Sequence, residues 1–384
     1  MKKLYKTLLP YEKEGVDFGL FCERLKSNRI VVLKGRSRSV CVGEGLSVKV
    51  NSSIGLNSES AYDGEINKIK TIKTTAIKPD IMMDLSTISV KNPLYKSIIT
   101  ELGCPVGTIP YYSCFSEKTG LDKTELLCTI EEQLSGGLAF MTLHFTADSG
   151  LFRIAQSRSV PVISRGGSVL LRDMRINRRE KNILYELRDD IVRLCKKYGA
   201  AISVGTVFRP STQRDALDEV HIMELNAQRQ IAKDLINDGV SVIQEGVGHI
   251  PMHRIAEYVK ELRRDIYVPF MPLGPIVSDR TRGFDHICSS VGAGYMAFLG
   301  GADIINAVTR EEHTGGIPSI ASIAEAIEAA KTTSAIIDDT RFYSYFAREA
   351  GRNTCNCMGE DDRTGCSRCG RECPYIDNIF VKNL

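Results

Sequence analysis

An alternation constrains this chain more than any other feature. From about residue 46, short apolar or β-branched runs recur between longer stretches with helical periodicity. The runs are LSVKVN (46–51), DIMMDLS (80–86), CPVGTIP (104–110), LAFMTLHF (138–145), VPVISRGG (160–167), AAISVGTVF (200–208), VSVIQEG (240–246), IYVPFMPLG (266–274) and ADIINAVT (302–309). The stretch RREKNILYELRDDIVRLCKKYG (178–199) sets apolar residues at i, i+3 and i+4 and ends on Gly199, a natural C-cap. HRIAEYVKELRRD (253–265) reads as a second helix. Strand–helix units repeated in this way predict a parallel sheet covered by helices. Eight or nine strands, with no G-x-G-x-x-G after the first, favour an α/β fold of the (β/α)8 TIM-barrel type over an open dinucleotide-binding sheet.

The predicted organisation is a short N-terminal segment at 1–45, a barrel at 46–316, C-terminal helices at 317–350, and a cysteine-rich tail at 351–384. The tail has too little apolar content to fold by burial alone, so a metal or cluster would supply what a core cannot. With 43% hydrophobic and 25% charged residues the chain reads as soluble and globular. A net charge of +3 gives no nucleic-acid footprint. No apolar run is long enough to cross a membrane, and the opening MKKLYKTLLPYEKEG lacks the apolar stretch of a secretion signal. The expectation is a cytoplasmic protein whose 12 cysteines are thiols.

In a barrel, functional side chains belong at the C-terminal ends of strands. Reading those ends gives Asn51 and Ser53; Met83, Asp84 and Ser86; Tyr112; His144; Ser164, Arg165, Gly166, Gly167 and Ser168; Thr206 and Arg209; Glu245, His249 and His253; Met271; and Arg310, Glu311, Glu312 and His313. Three of the six histidines, His144, His249 and His313, lie just past the strand ends, with His253 four residues beyond His249. The run SRGGS is read as following a strand, with two glycines admitting backbone N–H groups to an anion and Arg165 adding a fork of donors. A tight turn is the plain alternative. In EGVGHIPMH, Pro251 suits a first helical turn, which puts His249 in the loop before it. His249 can then pair with His313, two imidazoles suited to Zn²⁺ or Fe²⁺. The three cysteines Cys366, Cys369 and Cys373 fit either zinc, with Cys355 or Cys357 as a fourth ligand, or a 4Fe–4S cluster with one open iron.

Taken together, the blocks GLSVKVNSSIG, MMDLST, PVGTIPYY, ISRGGS, EGVGHIPMH, LGPIVSDRTRGFDHI and REEHTGGIP, followed by the cysteine tail, resemble the phosphomethylpyrimidine synthases. These are radical S-adenosylmethionine (SAM) enzymes that make the pyrimidine of thiamine. The resemblance implies a (β/α)8 barrel, a homodimer, and conversion of aminoimidazole ribotide to hydroxymethylpyrimidine phosphate through an adenosyl radical. It implies a 4Fe–4S cluster on Cys366, Cys369 and Cys373, reduced by a donor such as flavodoxin or ferredoxin, and a second metal on His249 and His313. Substrate contacts carry over to Met83, Tyr112, His144, Ser164, Arg165, Gly166, Gly167, Arg209 and Glu245. Asn51, Ser53, Thr206 and Met271 complete the candidate substrate set by their strand-end positions and alignment with family motifs. Glu245, His144 and Arg209 are the catalytic candidates, for positioning or proton transfer.

The chain departs from the family pattern in several places. The cysteines read C-x2-C-x3-C instead of C-x2-C-x4-C. Ser53 stands for an asparagine, Thr206 for an aspartate and Met271 for a tyrosine, and the N-terminal segment is short. These changes keep two alternatives open: a paralogue that takes the same ribotide to 5-hydroxybenzimidazole, the lower base of an anaerobic cobamide, and a homologue that binds ribotide or metal without turnover.

Overall fold

A computed structural model describes residues 1–349; Cys355, Cys357, Cys366, Cys369 and Cys373 lie outside the described residues. The N-terminal segment forms a hairpin of β1 (Ile30–Leu33) and β2 (Val40–Gly43) after three short helices. Eight strands follow: β3 (Lys49–Ile54), β4 (Ile81–Asp84), β5 (Val106–Thr108), β6 (Phe140–Leu143), β7 (Ala201–Val204), β8 (Val242–His249), β9 (Phe270–Ile276) and β10 (Ile304–Asn306). They form one parallel sheet in the order β10-β3-β4-β5-β6-β7-β8-β9. Its two edges meet where the Asp303 N–H donates to Phe270 O at 2.9 Å and Asn306 Nδ2 donates to Pro272 O at 2.8 Å. The expected α/β barrel of the (β/α)8 type is therefore present.

The strands form because their residues are buried on both faces, as parallel strands require. β4, β6, β7 and β8 are buried along their whole length. Several polar residues inside the sheet are paired, which compensates their burial. Gln228, from the helix Glu219–Asn237, reaches in and donates to the carbonyls of Val204, Gly205 and Glu245. At the opposite end, Asn28 presents its side-chain amide as a strand edge would: Nδ2 donates to Val242 O and Oδ1 accepts from Val242 N, each at 2.8 Å. That pair ties the hairpin to the N-terminal end of β8.

One of the nine expected strands is absent. Residues 160–163 are loop, with Val160 exposed, and the next residues begin the helix Arg165–Ile176. A short β-branched run suggests a strand, but this one has no neighbouring strand to pair with. The segment 178–199 divides into Ile183–Glu186 and Arg188–Tyr198, ending at Gly199 with φ of 66°. The first C-terminal helix runs unbroken over Ile320–Arg341. Compactness separates Met1–Arg341 from Phe342–Leu384, and the described part of the second unit holds the helix Tyr343–Glu349. Among the described residues no helix is long and apolar enough to cross a membrane.

Candidate active site

The C-terminal strand ends open into a cavity of about 640 Å³. Ser53, Met83, Tyr112, His144, Ser164, Arg165, Arg209, Glu245, His249 and His313 all line it. With Glu311 and Glu312, twelve of the residues singled out in the sequence thus share one space, brought there from β3, β4, β8 and the loops after β5, β6, β7 and β10.

On one side the wall carries a helix N-terminus and a cationic side chain. Ser164 caps the helix Arg165–Ile176, its Oγ accepting from the Gly167 N–H at 3.1 Å. The glycines therefore lie in a first helical turn, not in a turn after a strand. The positive end of the helix faces the cavity, and Arg165 adds a full charge beside it. The Arg165 guanidinium rests over the Tyr112 ring, 5.5 Å from its centroid. Burial pushes the Tyr112 hydroxyl up to about 12, against the pull of Arg165 and Arg209.

Deeper in the barrel, Glu245 on β8 is held by its neighbours. Its Oε1 accepts from Thr142 Oγ1 and from Ser203 Oγ, both at 2.7 Å, which leaves Oε2 for a ligand. Burial raises its pKa above the usual carboxylate value, with the two hydroxyls and Arg209 opposing. A carboxyl so placed can hold or release a proton at Oε2. His144, at the end of β6, is buried, and its Nδ1 lies 2.6 Å from the Tyr111 hydroxyl. Burial, helped by the charge of Arg209, lowers its pKa to about 3.

Five residues of the expected substrate set do not line the cavity. Asn51 is buried behind Asn306, donating to its Oδ1 at 2.7 Å. Met271 is fully buried on β9, beside Glu245 in the register. Gly166 and Gly167 pack against the interior: a Cβ on Gly166 would meet His144 Cε1 at 2.5 Å, and one on Gly167 would meet Val207 Cγ1 at 2.4 Å. Thr206 faces away, its Oγ1 donating to Glu224 Oε2 at 2.6 Å. Glu224 also accepts from Thr146 Oγ1 at 2.6 Å and from the N–H groups of Val207 and Phe208, at 2.5 and 2.8 Å. This one carboxylate fastens the loop after β6 and the loop after β7, which carries Arg209.

Across the cavity, His249 and His313 approach with Nε2 to Nε2 at 3.0 Å. His249 is the last residue of β8, not part of a loop. It is turned by an irregularity in the pairing with β9, where Val247 has φ of 82° and Gly248 of 86°. A β-branched residue at positive φ is an outlier of the kind that clusters at functional sites. Each imidazole is backed by a carboxylate: His249 Nδ1 by Asp279 Oδ1 and His313 Nδ1 by Asp285 Oδ1, both at 2.7 Å. A carboxylate on Nδ1 keeps the proton there and leaves Nε2 with its lone pair. Two lone pairs 3.0 Å apart repel unless a proton or a metal cation lies between them. The two imidazoles can share a proton, and their donors also fit a metal ion held by two histidines. Among the described residues no group of three or more His, Cys, Asp or Glu side chains could hold a metal.

Sequence reasoning missed several members. Asp279 and Asp285 lie in the quoted block SDRTRGFDH, where their spacing shows no pattern. Glu65 and Lys68 form a buried ion pair one turn apart on the helix Tyr62–Thr74, and both line the cavity. The i, i+3 spacing was visible, but not that this face turns inward. Tyr111 and Glu224 act from behind the wall and carry no local signal.

Fold and site define a (β/α)8-barrel protein whose one cavity carries a helix N-terminus with Arg165 on one face and the His249–His313 pair on another. A family model described as "Radical SAM ThiC family" matches residues 9–350, and the chain belongs to that family. It is 37% identical over 312 residues to the phosphomethylpyrimidine synthase of Carboxydothermus hydrogenoformans, covering 78% of this chain and 71% of the relative. It is 31% identical over 393 residues to that of Sulfolobus acidocaldarius, covering 92% and 90%. To that of Ignicoccus hospitalis it is 35% identical, covering 86% and 78%. Among solved structures, a dihydropteroate synthetase aligns over 79% of this chain and 100% of its own, at a TM-score of 0.43 and 9% identity.

Proposed function

We propose that this chain converts 5-aminoimidazole ribotide to 4-amino-5-hydroxymethyl-2-methylpyrimidine phosphate in thiamine biosynthesis. The observation that carries the reading is the convergence, on one cavity, of a helix N-terminus with Arg165, a buried carboxyl at Glu245 and the His249–His313 pair. Family membership supports the reaction class. In this reading Cys366, Cys369 and Cys373 hold a 4Fe–4S cluster that, with SAM, provides one-electron hydrogen abstraction.

The chain's own residues then have separate tasks. Arg165 and the first helical turn behind Ser164 take the phosphate. Tyr112 and Met83 flank the ribotide, and Arg209 fixes charge near its polar end. Glu245, raised in pKa by burial, moves a proton at Oε2. His249 and His313 hold Zn²⁺ or Fe²⁺. The proposed setting is a cytoplasmic homodimer that takes electrons from a donor such as flavodoxin or ferredoxin.

Thr206 favours a second reading. Tied to Glu224, it leaves the wall without the carboxylate the family pattern puts there. Loss of an acid changes hydrogen bonding and proton traffic, as a paralogue making 5-hydroxybenzimidazole would require. One assay separates the readings. The full chain is purified anaerobically, reconstituted with iron and sulfide, and given ribotide, SAM and reductant, and products are identified by mass spectrometry. Hydroxymethylpyrimidine phosphate with 5′-deoxyadenosine is the expected result. Hydroxybenzimidazole establishes the second reading, and neither product from a cluster-loaded protein leaves a binding homologue.

A further inference from the structure

We infer that Tyr111 is a positioning residue that fixes His144 as a neutral Nε2–H donor aimed into the cavity. Tyr111 is fully buried, and among the described residues its hydroxyl has one side-chain partner, His144 Nδ1, at 2.6 Å. A phenol has a single proton to donate. If Nδ1 carried the imidazole proton, the phenolic proton would be buried without an acceptor. That cost is avoided when Tyr111 donates and Nδ1 accepts. The imidazole proton then belongs to Nε2.

Packing fixes the ring's direction. Gly166 and Gly205 bracket it: a Cβ on Gly166 would fall 2.7 Å from Nδ1 and 2.8 Å from the Tyr111 hydroxyl, and one on Gly205 would fall 2.8 Å from Cε1. The ring is closely packed on both sides, and Tyr111 meets it edge-on at an interplanar angle of 83°. Nε2 has no protein partner among the described residues, and His144 lines the cavity, so its N–H awaits an acceptor there. Burial keeps the imidazole neutral, as the lowered pKa agrees. A neutral donor suits a ring nitrogen, a carbonyl or a hydroxyl oxygen; it does not suit proton transfer near neutral pH. His144 is thereby assigned to orientation, and proton movement to Glu245.

The inference rests on the proposed function only for the identity of the acceptor, so the test has two separable readouts. The full chain is labelled with ¹⁵N-histidine, and the long-range ¹⁵N–¹H pattern of His144 is followed from pH 5 to 8, with His144→Gln for assignment. The expected pattern is the Nε2–H tautomer, unchanged over that range. In Tyr111→Phe, which keeps the ring packing, the pattern shifts toward a tautomer mixture. Aminoimidazole ribotide affinity, read by calorimetry, falls roughly tenfold or more, as expected for a lost oriented hydrogen bond. His144→Gln, whose amide N–H can overlay Nε2, retains more affinity than His144→Asn. An Nδ1–H tautomer, titration between pH 5 and 8, or an unchanged pattern in Tyr111→Phe overturns the assignment. Correct tautomers in a protein that binds no ribotide would support Tyr111 and count against the functional reading instead.

Discussion

His144 and His249 line the same cavity, but their neighbours differ. His144 is sealed, with a phenol at Nδ1 and glycines on both sides. His249 is nearer solvent, with a carboxylate at Nδ1 and a second imidazole at Nε2. A phenol supplies a proton and leaves its histidine a donor. A carboxylate takes one and leaves its histidine a ligand. Residue type is the same; the partner on the far nitrogen decides the role.

The sharpest way to break this contrast is to remove each ring in turn. His249→Ala is expected to lose the second metal, read by elemental analysis of the reconstituted protein, whereas His144→Ala keeps it. Equal metal content in the two variants would erase the distinction. Next in size is Glu245→Gln, for which turnover should drop by ~10²–10⁴-fold with ribotide affinity little changed, as loss of a general acid or base produces. A comparable loss in affinity would make Glu245 a binding residue only.

A smaller effect is expected behind the metal pair. Asp279→Asn or Asp285→Asn should weaken metal binding by ~10–100-fold, the usual cost of losing a carboxylate behind a histidine ligand. Competition with a chromogenic chelator reads it directly, and wild-type affinity would detach the carboxylates from the site. The smallest effect concerns pH. The buried imidazole of His144 has a folded pKa of about 3, below its unfolded value, as does that of His221. Each takes up a proton on unfolding between about pH 3 and 6.5, so stability rises with pH across that window and levels off above it. His144→Gln should flatten the slope by about one proton, or ~1.4 kcal/mol per pH unit, in denaturant titrations at pH 4.5 to 6. An unchanged slope would mean His144 is protonated in the fold.

Much of the barrel was legible because parallel strands leave continuous apolar runs, as in FMTL of β6 and AISV of β7. VPVI at 160–163 reads the same way yet is loop, since pairing partners are a property of the sheet and not of the run. Strand-end position put His249 and His313 at the same end of the barrel, and the fold brings their Nε2 atoms to 3.0 Å although they are far apart in sequence. It did not say which way a side chain turns. Thr206 and Asn51 sit at strand ends and face other residues, because a buried carboxylate at Glu224 and an amide at Asn306 offered better partners than the cavity. Tyr111 was invisible for the converse reason. Its contact with His144 joins two different loops, and only the fold places them together.

The four hydrogen bonds converging on Glu224 bear on the entropy of binding. They join the loops after β6 and β7 to one helix, so this part of the site has few alternative conformations to surrender. A ligand docking against Arg209 therefore meets a surface already ordered, and more of each contact appears as affinity. Its association should show the heat-capacity change of buried surface alone, with no added contribution from loop folding.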